Sequence, residues 1–329
     1  MIQDTFGRQH TYLRISLTER CNLRCTYCMP SDGIPLSPKS HLMTAQEIYT
    51  IAQFFVKEGV TKIRLTGGEP LVRKDAPEIL EKLASLPVEL AISTNAITTN
   101  KHIEHFKKLG IRHINVSLDS LIPERFKSIT RRDYFDRVYA NIFELVENGF
   151  EVKLNCVLMK GINEDEIIDF INLSKNHPIH IRFIEFMPFD GNKWNLSKLV
   201  SYQEIMTRVD TAFVKADVQR ITDRPNDTSK NYKVNGYKGT FAIISTVTNP
   251  FCDSCNRIRL TANGRIKNCL FSATETDLLT ALRAGEPIDA LVEKAMKGKH
   301  KIRGGMETLE QFKDPTQYEK NRSMIAIGG

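Results

Sequence analysis

No window of the 329-residue chain approaches the roughly 20 consecutive apolar residues that a membrane-spanning helix needs, and Met1 to His10 holds no apolar stretch of the kind a secretory leader carries. A cytoplasmic protein is the expectation. No long repeat or low-complexity tract interrupts the chain, and it has one tryptophan, Trp194. A long basic tail is also missing; the densest cationic run, Lys294 to Arg303, reads as a solvated helix end. Aromatics are not interleaved with basic residues in a stripe, which argues against a nucleic-acid-binding module. The eight histidines show no ligand spacing beyond His102 and His105, read as one helix face. Cysteines number only seven, and they are grouped: Cys21, Cys25 and Cys28, then Cys156 alone, then Cys252, Cys255 and Cys269. Two threes and a remainder fit two metal sites better than a disulfide framework, with Cys156 a buried strand residue.

At 41% hydrophobic residues the chain can bury a full core, and a net charge of +7 favours an anionic partner such as a nucleotide polyphosphate. Tyr12 to Leu17 alternates as a first strand that ends where the cysteine loop begins. Thr44-Ala45-Gln46-Glu47 is a capping box opening a helix through Val56. Strands follow at Thr61 to Leu65, Val88 to Ile92, Ile111 to Leu118, Val152 to Leu158 and Ile179 to Ile184. Between them lie helices near Ala76 to Ala84, Lys101 to Leu109, Tyr134 to Glu147 and Glu164 to Ser174. Six strand–helix repeats predict an α/β fold, a partial (β/α)6 TIM-type barrel over residues 1–189, with function at the strands' C-terminal ends. Residues 190–329 read as an α+β extension on the open side. It has a polar stretch from Arg220 to Gly239, a strand at Phe241 to Val247, and an Asn263-Gly264 hairpin between Arg257–Leu260 and Arg265–Asn268.

Three thiolates in eight residues can hold three corners of a cubane [4Fe–4S] cluster and leave the fourth iron open to a ligand. Zinc is the rival, but no fourth ligand is near. After the second strand, Thr66-Gly67-Gly68-Glu69-Pro70 lets backbone approach a ligand closely and adds a carboxylate that can accept from an ammonium. The second triad, taken alone, would suit a zinc knuckle. Arg257 and Arg259 follow it at once, alternating on a strand so that both face one side, and make a site for an anionic ligand beside the metal.

The Cys-x3-Cys-x2-Cys loop, with Tyr27 before its last cysteine, resembles the signature of the radical S-adenosylmethionine (SAM) enzymes. Several motifs occur in order after it: Ile63 to Leu71, Asn115 to Asp119, Arg182 to Met187, the second triad with Arg257 and Arg259, and terminal Gly328-Gly329. Together they resemble the GTP 3′,8-cyclase family that begins molybdenum cofactor biosynthesis. The resemblance implies two [4Fe–4S] clusters, held by Cys21, Cys25 and Cys28 and by Cys252, Cys255 and Cys269. SAM contacts would come from Tyr27, Gly67, Gly68, Glu69, Ser117 and Met187. GTP contacts would come from Arg14, Arg64, Ser93, Lys153, Arg182, Arg257, Ile258 and Arg259, with Arg257 and Arg259 taking part in catalysis. It further implies abstraction of the ribose 3′ hydrogen by a 5′-deoxyadenosyl radical and attack on guanine C8. An external electron donor, product hand-off to a cyclic pyranopterin monophosphate synthase and a homodimer complete the family picture. One departure is Asn95-Ala96, where the family commonly has Asn-Gly; a left-handed turn there costs more with alanine and bears on the Ser93 contact.

Overall fold

A computed structural model describes residues 1–30, 33–318 and 321–328. Six parallel strands run in sequence order: β1 (Tyr12–Ser16), β2 (Lys62–Thr66), β3 (Glu89–Thr94), β4 (His113–Ser117), β5 (Glu151–Leu158) and β6 (His180–Glu185). Crossover helices cover their outer face: α1 (Ala45–Lys57), α2 (Ala76–Ala84), α3 (Ile103–Lys108), α4 (Pro123–Thr130), α5 (Phe135–Glu147) and α6 (Ile167–Asn176). Each presents an apolar stripe to the sheet, as Ile48, Ile51, Ala52 and Phe55 of α1 do. The capping box at α1 is present: Glu47 N–H donates to Thr44 Oγ1 (3.2 Å) while Thr44 N–H donates to Glu47 Oε2 (2.7 Å). The sequence reading has no counterpart for α4, an eight-residue helix that opens on Pro123 and buries only Phe126, Ile129 and Thr130. So short a stripe gives little periodicity to read.

The remaining chain forms α7 (Tyr202–Ala212), β7 (Val218–Arg220), β8 (Lys230–Val234), β9 (Thr240–Ile244), β10 (Arg257–Leu260), β11 (Arg265–Lys267), β12 (Thr276–Asp277), α8 (Leu279–Arg283), α9 (Asp289–Lys297), α10 (Leu309–Lys313) and α11 (Met324–Ile327). Its strands continue the sheet at both edges, β9 parallel beside β6 and β10 parallel beside β1, in the order β12-β11-β10-β1-β2-β3-β4-β5-β6-β9-β8-β7. The polar stretch Arg220 to Gly239 therefore contains β8, paired antiparallel with β9. The Asn263-Gly264 turn joins β10 and β11 as expected. Cys156 is fully buried in β5. A second apolar cluster gathers Trp194, Phe189, Phe271, Phe312 and Ile327, the last of these from α11. No helix among the described residues is long and apolar enough to cross a membrane.

Ala96 takes φ 61° and is fully buried, so the left-handed turn is kept despite its Cβ. That costs about 1–2 kcal/mol. Ala96 N–H donates to Thr94 Oγ1 (3.1 Å), and Asn141 Nδ2 donates to the Ala96 carbonyl (2.6 Å), which hold it there.

Candidate active site

The loop after β1 carries Cys21, Cys25 and Cys28, and α4 anchors it: Arg24 N–H donates to Thr130 O and Thr26 N–H to Ile129 O, both at 2.9 Å. Leu23 N–H (3.4 Å) and Asn95 Nδ2 (3.8 Å) donate to Cys21 Sγ. Burial pushes the Cys21 thiol up to about 11 and raises Cys25 and Cys28 as well. Thiols this costly to ionise alone become ligands only when a cation enters with them, and loading must release protons. Tyr27 donates to Asp119 Oδ2 (2.8 Å), and Asp119 Oδ1 accepts from Val157 N–H (2.9 Å), tying the loop to β5.

Gly67 and Gly68 follow β2 and press on this loop. Gly68 N–H donates to Thr18 O (2.7 Å) and Glu69 N–H to Arg20 O (2.8 Å). The Glu69 carboxylate departs from the sequence reading. It is 1% exposed, off the cavity wall, and accepts from Leu71 N–H (3.1 Å), Thr94 Oγ1 (2.8 Å) and Asn95 N–H (2.7 Å). Burial still raises it to about 7 against those donors. Its work is to fasten the turns after β2 and β3, which leaves backbone carbonyls as the acceptors this motif offers an ammonium.

Inside the barrel, register stacks polar residues in layers. Arg259, Arg14 and Arg64 are neighbours across β10, β1 and β2, as are Ser93, Asn115 and Lys153 across β3, β4 and β5. All face one cavity of about 760 Å³, which also reaches Arg182, Ser117, Met187, Tyr27, Gly67, Gly68 and all six cysteines of the two triads. Among the described residues nine lysines and arginines line it against a single carboxylate, Asp227. Burial, with Arg182 and Arg64 nearby, lowers Lys153 to about 8. Burial would raise the Tyr12 phenol, but Arg64 and Arg14 bring it down to about 7. Arg182 Nε, Asn115 Oδ1 and Asn155 Oδ1 are buried with no hydrogen-bond partner among the described residues. Such a wall is completed by a polyanionic, hydrogen-bonding ligand.

Cys252 and Cys255 precede β10, and Cys269 follows β11. Burial raises Cys252, opposed by the Arg303 N–H at 3.4 Å. Burial would also raise Cys255, but Lys299 and Arg257 outweigh it and hold the thiol at about 7. All six thiols are free and half-buried, and the donor sets are purely thiolate with one cavity in front of them, which suits iron–sulfur clusters. Arg257 Nη2 donates to Asn226 O (2.7 Å), and its guanidinium lies 5.4 Å over the Phe251 ring. Arg259 Nη1 donates to Gly328 O (3.1 Å), which also receives Thr66 Oγ1 (3.4 Å). Gly328 has φ 70°, and a Cβ there would meet Thr66 Oγ1 at 2.6 Å and Ser16 Cβ at 2.7 Å. Only glycine fits. Gly329 lies outside the described residues.

Of the residues read from the sequence, two do not reach the cavity wall. Glu69 is one, as above; Ile258 is the other, because it alternates with Arg257 and Arg259 on β10 and points into the core. Residues the sequence reading missed include Tyr12, Lys62, Asn155 and His180, each two positions before or after a residue it named on the same strand. Period-two alternation would have found them. The Lys294 to Arg303 run is also corrected: Lys299 and Arg303 are 4% and 6% exposed, against the second triad. Arg8 braces the same loop, donating to Cys252 O (2.8 Å), Lys301 O (2.8 Å) and His300 O (2.9 Å) while paired with Asp4 (2.6 Å).

Residues 15–174 match the family model of the radical SAM superfamily, and 179–304 match that of Molybdenum Cofactor Synthesis C. The whole chain is 48% identical to the mitochondrial GTP 3′,8-cyclase of Arabidopsis thaliana, covering 84% of it. It is 40% identical to the GTP 3′,8-cyclase of Listeria monocytogenes, covering all of this chain and 99% of that one. Against molybdenum cofactor biosynthesis protein 1 of Mus musculus, identity is 44% over 99% of the chain, which spans about half (51%) of that longer relative. Among solved structures, Streptococcus suis SuiB bound to S-adenosylmethionine superposes with a TM-score of 0.61, covering 89% of this chain and 66% of that one. At 16% identity this is a likeness of fold alone.

Proposed function

The chain belongs to the GTP 3′,8-cyclase family of radical SAM enzymes, and on that premise we propose that it converts GTP to 3′,8-cyclo-7,8-dihydro-GTP, the first step of molybdenum cofactor biosynthesis. The observation that carries the reading is a single cavity walled by both cysteine triads, with a cationic belt between them. Cys21, Cys25 and Cys28 would hold one [4Fe–4S] cluster and Cys252, Cys255 and Cys269 a second. When bound, the first supplies the electron that cleaves SAM to methionine and a 5′-deoxyadenosyl radical. The carbonyls of Gly67 and Gly68, with Ser117 and Met187 at the ends of β4 and β6, form the SAM side. Arg14, Arg64, Lys153 and Arg182 form the triphosphate side, where several fixed cations are needed to replace water around the phosphates. Ser93 completes that wall. Arg257 and Arg259, with the backbone of Ile258 between them, hold the nucleotide against the second triad. The nucleotide's 3′ hydrogen passes to the adenosyl radical, the 3′ carbon bonds to C8, and the resulting nitrogen-centred radical takes up one electron and one proton.

Anaerobic incubation with SAM, GTP and a low-potential reductant, followed by mass analysis, tests this. Equal amounts of 5′-deoxyadenosine and cyclised nucleotide are expected; 5′-deoxyadenosine alone, with GTP unchanged, refutes the substrate. The reconstituted chain should carry about eight irons, as two four-iron clusters require.

Lys153 supplies a pH test. Its proton is half lost near pH 8 in the free protein, and a bound triphosphate favours the charged form, so binding takes up a proton above that pH. The GTP dissociation constant is expected to rise above pH 8, by up to about tenfold per pH unit, and Lys153→Met should remove that component. Parallel pH profiles for wild type and variant, from equilibrium binding with SAM absent, would rule Lys153 out as a phosphate ligand.

A further inference from the structure

We propose that Lys299 sets the redox level of the second cluster and makes it the easier of the two to reduce; this rests on the reading of Cys252, Cys255 and Cys269 as ligands of that cluster. The lysine follows the end of α9, where its N–H donates to Met296 O (3.0 Å). Its ammonium turns inward, 3.0 Å from Arg257 O and 3.7 Å from Cys255 Sγ, and the residue is 4% exposed. It forms no ion pair with a carboxylate among the described residues. A buried ammonium is costly without a negative partner, and the sulfur is the one within reach. The arrangement is thus complete when Cys255 is a metal-bound thiolate. Arg257 Nη1 adds a second cationic donor to the same sulfur at 3.9 Å.

The first triad is built otherwise. Among the described residues Cys21 Sγ accepts from the neutral Leu23 N–H and Asn95 Nδ2, the Arg24 guanidinium beside it is given to the Cys21 and Leu23 carbonyls rather than to a sulfur, and the buried Asp119 carboxylate stands behind Tyr27. One-electron reduction takes [4Fe–4S]2+ to [4Fe–4S]+, adding one negative charge from a low-potential one-electron donor, with no bond made or broken. A fixed positive charge on a ligand sulfur stabilises the reduced state, and a nearby carboxylate opposes it. Charge placement therefore separates the two potentials, with the second cluster the higher. Lys299 acts through Cys255 and is a positioning residue.

The test is an anaerobic redox titration of the reconstituted holoenzyme followed by electron paramagnetic resonance. Signals are assigned with a chain in which Cys21, Cys25 and Cys28 are serine. In Lys299→Met the midpoint of the second cluster should shift to lower potential while the first stays put; Lys299→Arg should keep the wild-type value. Lys299→Gln, which keeps a donor without the charge, should shift as the methionine variant does, and it serves where methionine costs iron. Unchanged midpoints with both clusters present would overturn the inference alone. A wild-type chain with one reducible cluster and about four irons would overturn the two-cluster reading and the inference with it.

Discussion

A Cys255→Ala chain is expected to hold about half the iron of the wild type, to cleave SAM still, and to yield no measurable cyclised nucleotide. Removing one of three thiolates would leave only Cys252 and Cys269 for the proposed second cluster, which on that reading already lacks a fourth protein ligand. It also leaves the Lys299 ammonium buried without its sulfur. Loss of partners one shell further out costs metal sites about 10–100-fold, so loss of a ligand should exceed 100-fold in product. The first triad has its own anchors on α4 and β5 and should be untouched. Iron analysis and product quantification on one preparation decide the matter. Wild-type yields of cyclised nucleotide would remove the second triad from catalysis, and loss of 5′-deoxyadenosine would show that the two sites are not independently built.

Gly68→Ala is expected to do the reverse damage. A Cβ at this position would sit 2.4 Å from Arg20 O, 2.7 Å from Arg20 C and 3.1 Å from Cys21 Cβ. Two of those are backbone atoms of the cysteine loop, which cannot swing aside like a side chain. The loop must shift by several tenths of an ångström, breaking the Glu69 N–H to Arg20 O bond and moving Cys21 away from Cys25 and Cys28. Overpacking of this kind costs about 1–3 kcal/mol in stability, which a chain of this size survives. The site does not: 5′-deoxyadenosine formation should fall by up to about 100-fold, the loss that a displacement near 1 Å costs in positioned chemistry. Retained SAM cleavage with a folded circular dichroism spectrum would mean the loop is not where the glycine holds it.

Cysteine spacing was the most legible part of the site, because the two groups of three read from the chain both line the one cavity and no packing need imposes that pattern. The barrel was legible for a similar reason, as alternation of strands and helices leaves few topologies open. Lys299 and Arg303 were not legible. In sequence they sit in a cationic run like any solvated one, and only the position of the second triad tells which of those charges turn inward. Glu69 shows the opposite limit. Its place in a ligand-binding motif was readable, yet three local donors claim its carboxylate, and the turn after β3 that brings two of them is remote in sequence. Arg8 bonds a loop at the far end of the chain, a pairing that no local pattern encodes.

The pairing of β1 with β10 also bears on how the protein is made. At the usual 5–20 residues per second, β1 leaves the ribosome about tens of seconds before the strand that covers its outer edge. Throughout that interval the strand leading into Cys21 exposes an unpaired row of N–H and C=O groups, an invitation to other chains. A polypeptide released early would keep that edge open for good. Truncation before β10 is therefore expected to give a chain prone to edge-to-edge association.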